Sequence, residues 1–224
     1  MLLHALLVAH IAVLGYWLGS ELVINNMYRY VSYSASMSFV ERDRLMQRVM
    51  DVDQHVRYAL VLQAGLGFML AISFGYVPGG RAGVWLVAAL ATAWLAFVEI
   101  THRLRHRPVG RLLARIDRGS RYLLMIVLLA LAIGLIGAGW PMPFWLRTKL
   151  ALFAGVMLCG VGIRIALLGH FRTWAVMARE GPDDATNATI RGTYVRATSV
   201  LALLWVFILA IVVISLAKPA GFTA

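Results

Sequence analysis

Apolar residues gather along this chain in six runs, at roughly 2–24, 56–77, 83–102, 121–140, 144–169 and 194–217. Each offers about 20 residues, or close to 30 Å of helix, which matches the hydrocarbon thickness of a bilayer. Backbone N–H and C=O groups in hydrocarbon find no water, so each run must pair internally and is predicted to be helical. The β-branched residues from Ile208 to Ile214 do not override that constraint. The pattern predicts an all-α fold: one membrane domain over residues 1–224, a bundle of about six transmembrane helices.

The polar segments alternate in length. Segments 25–55, 103–120 and 170–193 are long and rich in arginine, whereas Pro78-Gly79-Gly80 and Pro141-Met142-Pro143 read as tight turns. Within the first long segment, Leu45, Val49 and Val52 recur at helical spacing, which predicts a short amphipathic surface helix over Glu41 to His55. Gly181-Pro182-Asp183-Asp184 reads as an exposed loop.

Composition strengthens the membrane reading. Hydrophobic residues make up 61% of the 224 residues and charged residues 14%, where soluble domains are roughly half apolar and a quarter charged. A chain this short cannot bury six such runs in a water-soluble core, so the lipid bilayer is the expected partner. The net charge of +11 would suit nucleic acid, but no basic domain stands apart from the spans, and nucleic-acid binding is not expected. The charge lies instead in the connections. Sixteen Lys and Arg fall in the first, third and fifth segments and their helix ends, against four (Arg81, Arg147, Lys149, Lys218) on the other side. The positive-inside rule then predicts both termini outside, with 25–55, 103–120 and 170–193 in the cytoplasm of a multi-pass inner-membrane protein. The N-terminus lacks a basic leader, so the first run is expected to be a retained helix. Cys159 is the single cysteine and lies in an apolar run; packing is its expected role.

Arg57-Tyr58 opens the second run and Arg121-Tyr122 the fourth, and each continues to Gly and an aromatic (Gly75-Tyr76, Gly139-Trp140), a proline turn and a Trp-Leu pair (Trp85-Leu86, Trp145-Leu146). The two hairpins read either as parallel repeats or as the interfacial Arg and aromatic residues common to membrane hairpins.

Ionisable groups inside a span are costly and point to function. His10, Trp17, Glu21 and Asn25 share one face of the first helix, which either looks into the bundle or lets Glu21 reach interfacial water. Glu99 and His102 share a face of the third, and His106 follows one turn later among arginines. Arg164 lies on a face of the fifth helix with Lys149 and Gly160, and Gly155, Gly160 and Gly162 thin that helix for a neighbour or a flat cofactor. Glu99 or Glu21 is the expected partner of Arg164. Histidines such as His102 with His170 or His55 would ligate a b-type haem, with arginines on its propionates. Glu21, Glu99 and His102 would instead hold a metal ion, iron or copper, or form an ion relay.

Three stretches resemble a known superfamily. His10-Ile-Ala-Val-Leu-Gly-Tyr-Trp17-Leu-Gly19, the basic stretch Arg44 to Arg57 leading into Leu62-Gln-Ala-Gly65-Leu, and Trp145-Leu-Arg-Thr-Lys149-Leu-Ala-Leu-Phe resemble helices of the copper-resistance protein D family and the related HemJ-type protoporphyrinogen oxidases. The resemblance implies a helical membrane protein with His10 at a haem or copper site and Lys149 as a matching basic residue. Ser20-Glu21-Leu22 stands where the HemJ pattern continues with a Leu-Pro-Arg-type stretch. The expected function is thus a redox or haem-associated membrane protein with a buried His/Glu/Arg site and an electron-transfer or complex partner, a homo-oligomer being compatible. The alternatives are a transporter of copper or another small cation, and a structural subunit of a membrane complex.

Overall fold

A computed structural model describes residues 1–105 and 107–217; His106 and Lys218 lie outside them. Six α-helices follow one another: α1 (Leu2–Tyr33), α2 (Phe39–Ser73), α3 (Gly80–Arg103), α4 (Pro108–Ala132), α5 (Phe144–Glu180) and α6 (Asp184–Ala217). Consecutive helices pack side by side, and α1 also packs on α6, which closes the order into a ring. Five of the six, all but α4, are long and apolar enough to cross a membrane. Large apolar side chains such as Leu90, Ile126, Ile165 and Leu209 face outward, the surface a bilayer requires.

The connections at the arginine-rich end differ from the expected long loops. Segments 25–55, 103–120 and 170–193 are mostly helix, because α1, α4, α5 and α6 all run past their apolar stretches. The expected surface helix from Glu41 to His55 is the first part of α2, continuous with the span. Hydropathy marks where lipid ends, and a helix continues as long as its polar turns are capped and packed. Here the Ser38 hydroxyl accepts from the Glu41 backbone N–H at 3.3 Å and donates to the Glu41 carboxylate at 2.8 Å, a side-chain N-cap. At the start of α6, the Asp183 carboxylate accepts from the Thr186 N–H at 2.7 Å and its hydroxyl at 2.6 Å.

The extensions of α1, α2, α5 and α6 pack around Val31, Met46, Met177 and Ile190. Arg42 is wholly buried among them. Its Nε donates to the Val31 carbonyl and an Nη to Asn187 Oδ1, while its guanidinium lies over the Trp174 ring. Neutral acceptors and a π face thus hold this cation.

The fourth run also ends earlier than expected. Helix α4 stops at Ala132, not near 140. Gly134 takes a left-handed φ of 78°, which side chains with a Cβ avoid, and Pro141 and Pro143 bar a restart before Phe144. Arg147 donates to the carbonyls of Leu131 and Gly137 at 2.8 and 3.2 Å, so acceptors left open by the turn are satisfied from α5.

Helices α5 and α6 meet along a glycine seam. Gly155, Gly162 and Gly169 recur every seven residues and face Phe207, Val200 and Thr193. A Cβ on Gly155 would lie 3.2 Å from the Phe207 ring, so the side chains of α6 occupy space that only glycine leaves open. Cys159 is buried on the same helix with Trp17, Ala59 and Leu204.

Substituting Gly155→Leu should destabilise the protein by about 1–3 kcal/mol, as overpacking does, lowering its thermal midpoint in detergent; an unchanged midpoint would refute the seam. The bonds from Thr186 hold the Asp183 carboxyl below the usual carboxylate range. A depressed folded pKa stabilises above the unfolded value of about 3.9 and loses that contribution as pH falls through the folded pKa. Asp183→Ala should therefore raise hydrogen exchange in the first turn of α6 at pH 7, with the difference from wild type fading below about pH 4.

Candidate functional site

The ring encloses a cavity of about 420 Å³, within the range of small-molecule sites. All helices except α3 contribute to it. One end is apolar, walled by Trp17, Leu60, Met125, Val156, Met157 and Leu204. A charged belt follows, with Glu21 on α1, Asp53 and Arg57 on α2, Arg118 and Arg121 on α4, and Arg164 on α5. Beyond the belt, towards the arginine-rich end, lie Asn25, Tyr28, Met46, Met50, Leu167 and Phe171. Tyr122, Leu168 and Phe171 line the cavity and are also exposed at the surface, so its mouth lies on the α4–α5 side.

Spacing along each helix decides which arginines are available. Arg57 pairs with Asp53 at 2.9 Å and Arg121 with Asp117 at 2.5 Å, each carboxylate four residues before its arginine. On α3, outside the cavity, Arg103 pairs with Glu99 in the same way. These are the neighbours that α-helical geometry brings together. Arg164 breaks the pattern, because Gly160 occupies the position four residues before it. Among the described residues Arg164 makes no salt bridge or hydrogen bond; it lines the cavity and is exposed. Among the described residues Arg118 donates only to the carbonyl of Ala114 in its own helix.

The acids differ too. Asp117 is buried beside Arg121. Glu21 is 8% exposed, and among the described residues its one hydrogen bond comes from Trp17 Nε1 at 3.3 Å on the same helix. The expected face of α1 thus turns inward from Trp17 through Glu21 and Asn25, and Tyr28 extends it.

The other expected site residues stand apart from this cavity. His10 lies against Gly67 of α2 with its Nε2 3.2 Å from the Gln63 amide, and its Nδ1 is buried without a partner. Lys149 lies on α5 and does not line the cavity. His55 is exposed, 2.5 Å from the Tyr16 hydroxyl and edge-on to Tyr58. His102 is half-buried and contacts Arg105. His170 is fully buried, 3.0 Å from the Tyr28 hydroxyl and stacked on Trp174. Glu99 accepts from the Tyr58 hydroxyl and from Arg103. Neither Glu99 nor Glu21 pairs with Arg164, contrary to expectation, because Glu99 is held by its own helix and α3 does not line the cavity. Among the described residues no histidine lines it either, Glu21, Glu99 and His102 do not converge, and no cluster of three His, Cys, Asp or Glu side chains could hold a metal ion.

Arg118, Asp53 and Asp117 are site residues that the sequence reading passed over, and Arg57 and Arg121 were read there as topology charges. The signal was present. Asp53-Gln-His-Val-Arg57-Tyr58 and Asp117-Arg-Gly-Ser-Arg121-Tyr122 share the pattern Asp-x-x-x-Arg-Tyr, so the hairpin similarity includes the carboxylates that pair the arginines. No family model, curated protein or solved structure matches this chain.

The arrangement can bind a group that is negative at one end and apolar at the other. Asp53→Asn should release Arg57 and tighten binding of an anionic amphiphile about two- to threefold, since a partly exposed i,i+4 pair contributes only a fraction of a kcal/mol. Isothermal titration of the variant against wild type checks this; weaker binding would mean that Asp53 itself holds the ligand.

Proposed function

We propose that this protein is a plasma-membrane binding protein for anionic amphiphiles, with its arginine-rich end in the cytoplasm. The observation that carries the reading is Arg164, a guanidinium without a carboxylate partner in a cavity with an apolar end. A charge facing low-dielectric walls strongly favours an opposite charge. Guanidinium matches carboxylate and phosphate in a planar fork. The apolar end takes a hydrocarbon body, and the mouth between α4 and α5 admits a molecule from the adjoining leaflet.

Charge separates the alternatives. Four arginines line the cavity against Glu21 and Asp53, a field that repels a copper ion or another small cation. Haem is itself an anionic amphiphile, and the arginines suit its propionates. Among the described residues no histidine lines the cavity to ligate its iron, so these residues suit a lipid better than haem. His10, with its unpartnered Nδ1, is where the resemblance would seat a cofactor, and redox work with an electron-transfer partner would follow from that site.

The test is titration of the purified protein with lysophosphatidic acid and with a monoacylglycerol of equal chain length. The anionic lipid should bind at least about tenfold tighter. Arg164→Gln should weaken it by about tenfold or more, since a hydrogen bond to a charged group contributes about 1.5–3 kcal/mol. Gly160→Glu should do the same without touching the arginine, by supplying the missing carboxylate where a Cβ meets nothing within 4 Å. Equal binding of both lipids, or indifference to both substitutions, would refute the reading. A reduced-minus-oxidised spectrum of the same sample discriminates haem: a b-type band lost on His10→Ala or His102→Ala would return the function to redox chemistry.

A further inference from the structure

Three carboxylates stand in or beside the charged belt, and two are committed. Asp53 is bound to Arg57 and Asp117 to Arg121. Glu21 is the exception. It is largely buried, it lines the cavity, and it lies outside salt-bridge range of every arginine there. Its single hydrogen bond, from Trp17 at 3.3 Å, occupies Oε1. The other oxygen has no partner among the described residues and is not sealed off by protein.

The cavity therefore has two poles on different helices. Among the described residues no carboxylate neutralises the guanidinium groups of Arg164 and Arg118, on α5 and α4, and no donor fills the free acceptor of Glu21 on α1. Gly160, which carries no side chain, also lines the cavity. A purely anionic ligand would satisfy the first pole and leave Glu21 repelled by the same charge. A ligand with an ammonium group beside its anion satisfies both, because N⁺–H···O⁻ bonds are the stronger, charge-assisted kind.

We propose that the amphiphile is zwitterionic, a phospholipid with a primary ammonium head group, whose phosphate lies on Arg164 and Arg118 and whose ammonium lies on Glu21; this rests on the reading of the cavity as an anionic-amphiphile site. Glu21 is then the residue that sets head-group specificity, and the Trp17 indole holds its carboxylate in place. One acyl chain enters the apolar end past Leu60 and Leu204, and the other leaves through the mouth between α4 and α5 into the bilayer.

The experiment is native mass spectrometry of the full chain in detergent with equimolar short-chain phosphatidylethanolamine and phosphatidylglycerol. Wild type should retain phosphatidylethanolamine over phosphatidylglycerol by about tenfold. Glu21→Gln, which keeps the shape and removes the charge, should bring that ratio close to one while total lipid binding persists. Arg164→Gln should weaken both lipids together. A wild-type ratio near one, or a ratio that survives Glu21→Gln, overturns the zwitterion proposal and leaves the anionic site standing. Indifference of both lipids to Arg164→Gln removes the underlying reading as well. The wild-type ratio needs no variant to fold, so the proposal is exposed to failure even if Glu21→Gln does not yield protein.

Discussion

A charge in a medium without water must find an opposite charge, a set of hydrogen-bond partners or a wet cavity, and this requirement organises the molecule. Arg42 uses the second route, with the Val31 carbonyl, the Asn187 amide and the face of Trp174 around a side chain that has no exposure at all. Arg57, Arg103 and Arg121 use the first, each bound to a carboxylate one turn earlier. Arg164 uses the third. Sorting the arginines this way leaves Arg164, and beside it Arg118 with only the Ala114 carbonyl, facing the cavity without a carboxylate among the described residues, and the chemistry of the site follows from them.

The fold makes the third route possible. A ring of six helices leaves more room at its centre than side chains fill, provided neighbours in the ring stay close. Gly155, Gly162 and Gly169 bring α5 onto α6, and Gly65 brings α2 onto α3, where a Cβ would meet that of Ala91 at 2.8 Å. The extensions of α1, α2, α5 and α6 then clamp the ring beyond the belt through a packed core around Val31, Met177 and Ile190. Helix α4 has no such clamp. Its polar half carries Arg111, Arg115 and Arg118 beside exposed Val109, Leu112 and Ile116, an amphipathic surface suited to lipid head groups. The mouth of the cavity lies along this helix.

Much of this was legible before any coordinates. Six apolar runs required six helices, and the shared face of His10, Trp17, Glu21 and Asn25 followed from their spacing, which left open whether that face looks inward; Trp17, Glu21 and Asn25 line the cavity and His10 does not. Helix length was not legible, because hydropathy reports the solvent around a helix and not where its hydrogen bonding stops; the capping pairs Ser38–Glu41 and Asp183–Thr186 carry that information in four residues each. Partner choice was harder still. Arg164 and Glu99 have matching depth and opposite charge, yet Glu99 is satisfied by Arg103 within α3, and local pairs form without the geometric demands of distant ones. The histidines looked like a cluster in one dimension. They scatter because His10, His55, His102 and His170 sit on four different helices and at several depths, each engaged by a different neighbour.

The duplicated Asp-x-x-x-Arg-Tyr motif sharpens the contrast at Arg164. In α2 and α4 the carboxylate and arginine recur together, and α3 repeats the spacing with Glu99 and Arg103. Such pairs make an arginine tolerable at a membrane boundary and also blunt it as a ligand, because an incoming anion must compete with a carboxylate already in place. Helix α5 keeps the arginine and replaces the carboxylate with Gly160. That single position removes the competing charge and the side-chain volume together. It leaves a cation without a carboxylate in the cavity that Glu21 also lines. A protein that required Arg164 only for stability would gain from an acid at position 160; a protein that uses it to hold a ligand would lose its site.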